Sequence, residues 1–446
     1  MNHARSAARI LLAAFAAVLL LAAAPAAAQT TTPDRAPEGL TTIVVRPSSY
    51  DALTKIAVPD TYNLGETDPR GLQLSMAKTI RTCLGIAGFF NVLSPDRYFF
   101  DSSREGITAP STNFTNWYNV GAQFVVKAAF KVATNQARVE IKLFDVNTQK
   151  EVDIGFKSTT VGLDAVEPEV YRFINLLMKY FTGNEGLFGT RIAYVARTRG
   201  SKQVFVTGID GSHVEPISSV GPINILPAWN GSQLVYTSFA SGNPDLVTGG
   251  KSLRTLSAQP GLNSGASVRP GTGEIALTLT RDGNAEIYIL NPVTSALRRC
   301  TNNTAEDVSA SWSPDGSRIA FVSDRSGGPQ VFVMNADCTG ERRLTFRGSY
   351  NTTPDWSPRG DLIAFTGRDG VRQDIFTVEV DSGFIERLTQ DQGDNEEPSW
   401  SPDGQFLVFS SSRGGKKKLY IMPASGFPQT EIPLVGSGFE QPAWQR

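Results

Sequence analysis

Residues 312–328 read WSPDGSRIAFVSDRSGG, and they decide the fold because they recur. Trp312, Trp356, Trp400 and Trp444 stand 44 residues apart. The second and third open WSPRGDLIAFTGRDG and WSPDGQFLVFSSSRGG. Forty-four residues before Trp312 lies Val268, in VRPGTGEIALTLTRDG, and Trp229 opens a shorter version, WNGSQLVYTSFASG. The apolar strands that follow begin at Ile192, Leu234, Ile275, Ile319, Ile363 and Leu407, separated by 42, 41, 44, 44 and 44 residues. Self-similarity at such a period marks a repeat architecture, and the count is six.

Each unit parses into four short strands. One ends at the Trp, a Pro-Asp-Gly type turn follows, and strands such as Arg318–Ser323, Gln330–Met334 and Arg342–Phe346 come next. Asp-Gly and Gly-Gly supply the positive φ that tight hairpins need. Ile319, Ala320, Phe321 and Val322 are apolar on both faces of their strand, so that strand must be covered on both sides. Four strands every ~40–45 residues are expected to form WD40-like (PD40) blades of a six-bladed β-propeller spanning 189–446. The first unit, at Arg191, lacks a Trp strand, and Phe439–Trp444 has no unit after it. Pairing these two closes the ring, whereas an open solenoid needs polar caps at its ends.

Ahead of the repeats the chain has other characters. Arg5 and Arg9, the apolar run Ile10 to Ala24, and Ala26-Ala27-Ala28 before Gln29 have the order of a secretory signal peptide over 1–28, cleaved after Ala28. Residues 29–40 are read as a flexible mature N-terminus. Residues 41–181 show no repeat period and are expected to form a small α+β domain, followed by a linker at 182–188. Its strands are expected at Thr41–Val45, Ala52–Val58, Gln123–Ala133, Arg138–Val146 and Val152–Thr160. Helices are expected over Leu72 to Phe90 and Val166–Phe181 from their apolar spacing. The mature chain keeps 40 basic and 43 acidic residues, a balance with no field to attract nucleic acid. No later stretch is long and apolar enough for a membrane span. The first cysteine is Cys83, so a lipidated N-terminal cysteine is not expected either. The bland reading makes Cys300, aligned with Leu344, a small buried apolar side chain and Cys338 a turn residue. A bridge between them is the alternative in an oxidising compartment.

Catalytic motifs are missing: no G-x-S-x-G elbow, Walker loop, H-E-x-x-H or paired-cysteine motif. His213, the single mature histidine, reads as a solvated turn residue, and the acidic residues of the WSPDG turns bond their own backbone. The expectation is a protein without enzyme activity, cofactor or metal. The segments before the Trp positions, INILPAW, LNSGASV, EDVSASW, YNTTPDW, NEEPSW and FEQPAW, converge on one channel mouth. There Asn224, Asn263, Asp307, Asn351, Asn395 and Glu440 are expected to form a hydrogen-bonding ring, rimmed by Arg281, Arg325, Arg368 and Arg413. Such a surface suits docking of a protein segment. Replacing Asn351 or Asn395 is expected to weaken docking without loss of stability.

The WSPDG-x-x-IAF repeats, with FTNWYNVGAQFVVKAAF (114–130), KLFDVNT (142–148) and FTGNEGLFGTRIAYV (181–195), resemble the TolB family of the bacterial Tol–Pal envelope system. The resemblance implies a periplasmic, non-catalytic binding protein acting in outer-membrane integrity and cell division. It implies that the channel mouth binds the lipoprotein Pal and that the N-terminal region engages TolA, with other envelope proteins as further partners. Carried onto this chain, Pal-contacting segments fall at Leu262–Gly265 and Asp307–Ser309, with Leu262, Asn263, Gly265, Asp307 and Ser309 among the contacts. The TolA-binding stretch falls near Gln29, Thr30, Ile43 and Val44. The alternative reading is the propeller lid of a prolyl-oligopeptidase-like hydrolase, for which this chain has neither the elbow nor the residues to build a hydrolase domain. A scaffold for outer-membrane protein insertion is a third reading; such proteins carry a lipidated cysteine, which is missing here.

Overall fold

A computed structural model describes residues 44–45, 53–198 and 200–446. The repeats form a six-bladed propeller, each blade an antiparallel meander of four strands. Blade 2 runs Asn224–Asn230, Gln233–Ser238, Asp245–Gly249 and Leu253–Ser257, and blades 3 to 6 follow in order with innermost strands Asn263–Val268, Asp307–Trp312, Tyr350–Trp356 and Asn395–Trp400. Blade 1 takes Arg191–Thr198, Ser201–Gly208 and Glu215–Pro216, and its innermost strand is Phe439–Trp444. That last strand pairs antiparallel with Arg191–Thr198, Phe439 opposite Ala196 and Trp444 opposite Ile192, so the ring closes as expected.

Burial on both sides explains the composition of the second strands. Ile319, Ala320, Phe321 and Val322 are all at most 2% exposed, sandwiched between neighbouring blades. Aromatic pairs recur at one register between second and third strands: Phe321–Phe332, Phe365–Phe376, Phe409–Tyr420 and Tyr194–Phe205, with centroids 5.6–6.0 Å apart. Blades are also tied by hydrogen bonds. The backbone N–H of Trp312, Trp356, Trp400 and Trp444 donates to Ser267, Ser311, Asp355 and Ser399 of the preceding blade, at 2.7–3.1 Å. In blades 3 to 6 the small polar residue that precedes the Trp position is therefore a clasp onto the next blade.

The α+β domain is a seven-stranded sheet. Thr54–Ala57 lies between Phe90–Leu93 and Phe124–Ala133, parallel to both, and Gln136–Asp145 pairs antiparallel with the latter. Helices α1 (Leu72–Ala87) and α3 (Val166–Thr182) cover one face, burying Met76, Ile80, Leu84, Phe173, Ile174 and Leu177. Short helix α2 (Phe114–Asn119) brings Trp117 against Val125 and Val146 on the other face. There Lys127, wholly buried, donates to Glu105 (2.6 Å), Thr112 Oγ1 (2.8 Å) and the Gly106 carbonyl (2.9 Å). All three ammonium protons are used, which is what makes its burial tolerable.

The two domains share one continuous apolar core, in which α1 and α3 side chains meet Phe406, Ile421, Ile432 and Trp444 of blades 6 and 1. Phe89 packs edge-on against Phe406, and Tyr171 donates to Asp210 at 2.7 Å. These contacts fall at the end of the ring that carries the turns after the innermost strands.

Some expectations need correction. The span expected as one strand, Val152–Thr160, is two short strands, Lys150–Val152 and Thr159–Gly162, pairing with opposite ends of Gln136–Asp145. The outer strand of blade 4 stops at Arg343, and Phe90–Leu93 was not anticipated. Cys300 and Cys338 form a disulfide. Cys300 does occupy the register of Leu344, each N–H donating to the third strand at 2.8 Å. A separation of 38 residues, close to one repeat, also brings the next blade's hairpin turn over it. Of the strand expected at Thr41–Val45, only 44–45 is described; it pairs parallel with Glu386 and Arg387 at the outer edge of blade 5.

Candidate docking site in the central channel

The channel wall is built from six innermost strands with one shared irregularity. Each breaks register four residues before its Trp position, between Ile225 and Ala228, Ser264 and Ser267, Val308 and Ser311, Thr352 and Asp355, Glu396 and Ser399, and Glu440 and Ala443. The residue three before that position takes a left-handed φ in all six: Leu226 (54°), Gly265 (64°), Ser309 (57°), Thr353 (49°), Glu397 (60°) and Gln441 (54°). Such a bulge re-aims its side chain and ends regular pairing locally. Pro227, Pro354, Pro398 and Pro442 come next, at the free inner edge where no neighbour needs their N–H.

These residues line a cavity of about 740 Å³ that runs from the bulge layer to the Trp end of the strands. Polar links run along part of the bulge layer. Leu226 N donates to Gln441 Oε1 (2.9 Å), Gln441 N to Glu397 Oε2 (2.7 Å) and Glu397 N to Thr366 Oγ1 (2.8 Å), whose hydroxyl also bonds Thr353 Oγ1 (2.7 Å). Two carboxylates stand in this wall. Burial pushes the Glu397 carboxyl up to about 7, against the pull of Lys417 and with the repulsion of Glu396. Burial also raises Asp355, which Arg446 opposes through an ion pair.

The polar residues singled out from sequence lie elsewhere. Asn224, Asn263, Asp307, Asn351 and Asn395 are at most 2% exposed, inside the blades and not gathered in an open ring. Asn224, Asn351 and Asn395 donate to Gln203, Gln330 and Asp374 on the third strands, at 2.8–3.0 Å. The same three acceptors also bond Ser218, Thr345 and Thr389, each two residues past the outer strand. In these three cases one buried network thus ties the third strand and outer segment of a blade to the innermost strand of the next blade. Asn263 serves its own loop, bonding Ser257 and the carbonyls of Gln259 and Gly261. Glu440 does not share the register of this set; Phe439 does, and Glu440 pairs with Lys202 one residue further on.

The arginines are placed at the same end but engaged within their blades. Arg325 reaches Asp307 (2.8 Å) and Glu341, Arg413 reaches Asn395 (2.9 Å), and Arg281 reaches Gln259 (2.9 Å). Arg368 lies over the Tyr350 ring, 5.0 Å from its centroid. Leu262 is half-buried, its N–H held by Thr280 Oγ1 at 2.8 Å. Ser309 and Gly265 do face the cavity. Val44 lies in the short edge strand on blade 5, while Gln29, Thr30 and Ile43 lie outside the described residues. His213 sits in a turn with φ 50°, and its ring contacts Glu167 of α3. Sequence reasoning missed the bulge layer with Thr353, Glu397 and Gln441, although the recurrent proline beside it was a usable signal. Among the described residues no group of three or more His, Cys, Asp or Glu side chains is placed to hold a metal ion.

A closed six-bladed ring with an α+β domain seated on one end defines a two-domain β-propeller protein. The chain belongs to the TolB family. Residues 178–446 match the family model described as the TolB β-propeller domain, and residues 42–152 match that of the TolB amino-terminal domain. It is 35% identical over 253 residues to the Tol-Pal system protein TolB of Desulfosudis oleivorans, covering 56% of this chain and 57% of the relative. It is 38% identical over 282 residues to the protein of the same name from Anaeromyxobacter dehalogenans strain 2CP-C, covering 62% and 63%. These matches span less than two thirds of the relatives' length. The crystal structure of TolB from Acinetobacter baumannii is similar with a TM-score of 0.73 at 25% identity, covering 88% of this chain and 96% of that one.

Proposed function

We propose that this chain is a non-catalytic docking component of the Tol–Pal system in the periplasm, exported by a signal peptide cleaved after Ala28. It links Pal, and through it the outer membrane and peptidoglycan, with TolA, and so serves outer-membrane integrity and constriction at cell division. The observation that carries this reading is the channel itself. Six identical bulges present variable side chains around one axis, and the contacts of the α+β domain fall at the opposite end of the ring from the segments that lead into the innermost strands. A partner segment approaching that free mouth meets Leu262, Arg325, Arg368 and Glu440 at the rim and Gly265 and Ser309 deeper in. The names of the relatives support the choice of system. TolA is assigned to the segment from Gln29 to Val44.

The test is affinity capture from an envelope extract by the tagged mature protein. Recovery of Pal, with TolA lost when residues 29–45 are deleted, supports the reading. Recovery of neither protein contradicts it.

A further inference from the structure

The Cys300–Cys338 disulfide is a staple between two blades. Cys300 follows the outer strand of blade 3 (Leu297–Arg299), and Cys338 lies in the turn before the outer strand of blade 4 (Arg342–Arg343). Both residues are half-buried on the outer rim, within reach of a macromolecule. Cys338 holds φ 71°, a conformation that the corresponding turn of blade 5 gives to Gly383 at the same angle. A side chain there costs about 1 kcal/mol relative to glycine, so packing alone is a poor reason for a cysteine at this place.

The two sulfurs are not equivalent. The Arg298 guanidinium lies against both sulfurs, with Nη1 in contact with Cys338 Sγ and further, at 3.7 Å, from Cys300 Sγ. Its Nη2 is fixed by the Ala336 carbonyl at 2.8 Å, which holds the charge beside Cys338. The nearby Asp337 carboxylate is bonded by the N–H (3.0 Å) and hydroxyl (2.6 Å) of Thr339. A cation beside a sulfur favours its thiolate, and the sulfur that leaves as the more stable thiolate leaves faster.

We propose that this staple is a thiol-exchange site for a dithiol oxidoreductase, polarised so that the partner attacks Cys300 and Cys338 leaves. The partner's thiolate forms a bond to Cys300 Sγ as the Cys300–Cys338 bond breaks, and the electron pair goes to Cys338, held as thiolate by Arg298. The partner's second thiol, deprotonated, then attacks its own sulfur in the mixed disulfide and expels Cys300 as thiolate, which takes a proton from water. Two electrons pass from the dithiol, which becomes a disulfide, to the staple, which becomes two thiols. Blades 3 and 4 then lose their covalent tie at the rim. The inference stands apart from the docking function, since neither residue belongs to the channel.

The test uses the oxidised mature chain and a thioredoxin-type dithiol protein whose resolving cysteine is replaced by serine. Peptide mapping of the trapped mixed disulfide distinguishes Cys300, Cys338 and the buried Cys83. The adduct is expected on Cys300. With the intact dithiol protein, Arg298→Met is expected to slow reduction about three- to tenfold, and Arg298→Lys to restore part of the rate. An adduct on Cys338, an even distribution, a rate unchanged by Arg298→Met, or a staple the dithiol protein never opens would each overturn the proposal. A mixed disulfide mapped to Cys300, together with slowed reduction of Arg298→Met, supports it.

Discussion

Asn351 shows how a polar residue near a channel can belong to the scaffold. Its amide donates to Gln330 Oε1 and to the Arg347 carbonyl, at 2.8 and 2.7 Å, with almost no exposure. Asn351→Ala is therefore expected to lower unfolding stability by about 1–3 kcal/mol in denaturant titration, because Gln330 and the carbonyl lose a buried partner. This reverses the expectation of a replacement without cost. The asparagine was visible in sequence, but its partner, 21 residues earlier on another strand, was not. Glu397 is the second case. Its carboxyl is raised from 4.5 to about 7, so the folded state keeps a proton that the unfolded chain releases earlier. Stability from this group is thus highest below pH ~4.5 and falls as pH rises through ~7. Glu397→Gln is expected to gain thermal stability relative to the parent at pH 8 and to differ little from it at pH 4.5. Parallel melting curves at the two values check this, and an equal difference at both would refute it.

At the scale of the strand, the bulge is the element that turns a repeat into a channel. Its φ values of 49–64° recur in six sequences as different as Leu226, Gly265 and Glu397, and in blades 3 and 4 without a following proline, so the conformation is imposed by ring geometry more than by local propensity. Gly265 is the exception that relieves the strain. A Cβ there would have only Thr278 Oγ1 within reach, at 3.8 Å, so Gly265→Ala is expected to cost about 1 kcal/mol from backbone conformation alone, read by chemical denaturation. The strands themselves were legible because Trp spacing, Asp-Gly turns and doubly apolar second strands repeat. Short outer strands and Phe90–Leu93 were not, since two to four residues carry no periodicity. Ser267, Ser311, Asp355 and Ser399 had a visible pattern whose meaning, a bond to the next blade, needed the ring.

At the scale of the molecule, ring closure and the shared core make the two domains interdependent. Phe439–Trp444 is the inner strand of blade 1, and Trp444 also donates to Thr190 Oγ1 at 2.9 Å where the chain enters the ring. Deleting 439–446 is expected to lower the thermal midpoint by more than 10 °C, since it exposes a buried edge and uncovers α1 and α3 together (about 4 kcal/mol or more by the usual scaling). A truncated chain that melts with the parent contradicts the closure. The repeat count and the closure were legible from sequence, because both follow from spacing. The seat of the α+β domain on blades 6 and 1 was not, because it depends on Phe89, Phe406 and Trp444 meeting across long separations.

The docking channel is the centre of this account, and calorimetric titration with purified Pal tests it most directly. Ser309 faces the cavity, already holds the left-handed φ and is half-buried, so Ser309→Trp fills the channel without new backbone strain. The parent is expected to bind Pal, and the variant to bind it at least about tenfold more weakly, a loss of about 1.4 kcal/mol, with an unchanged melting temperature. Equal affinity of the two proteins for Pal would contradict docking at the channel.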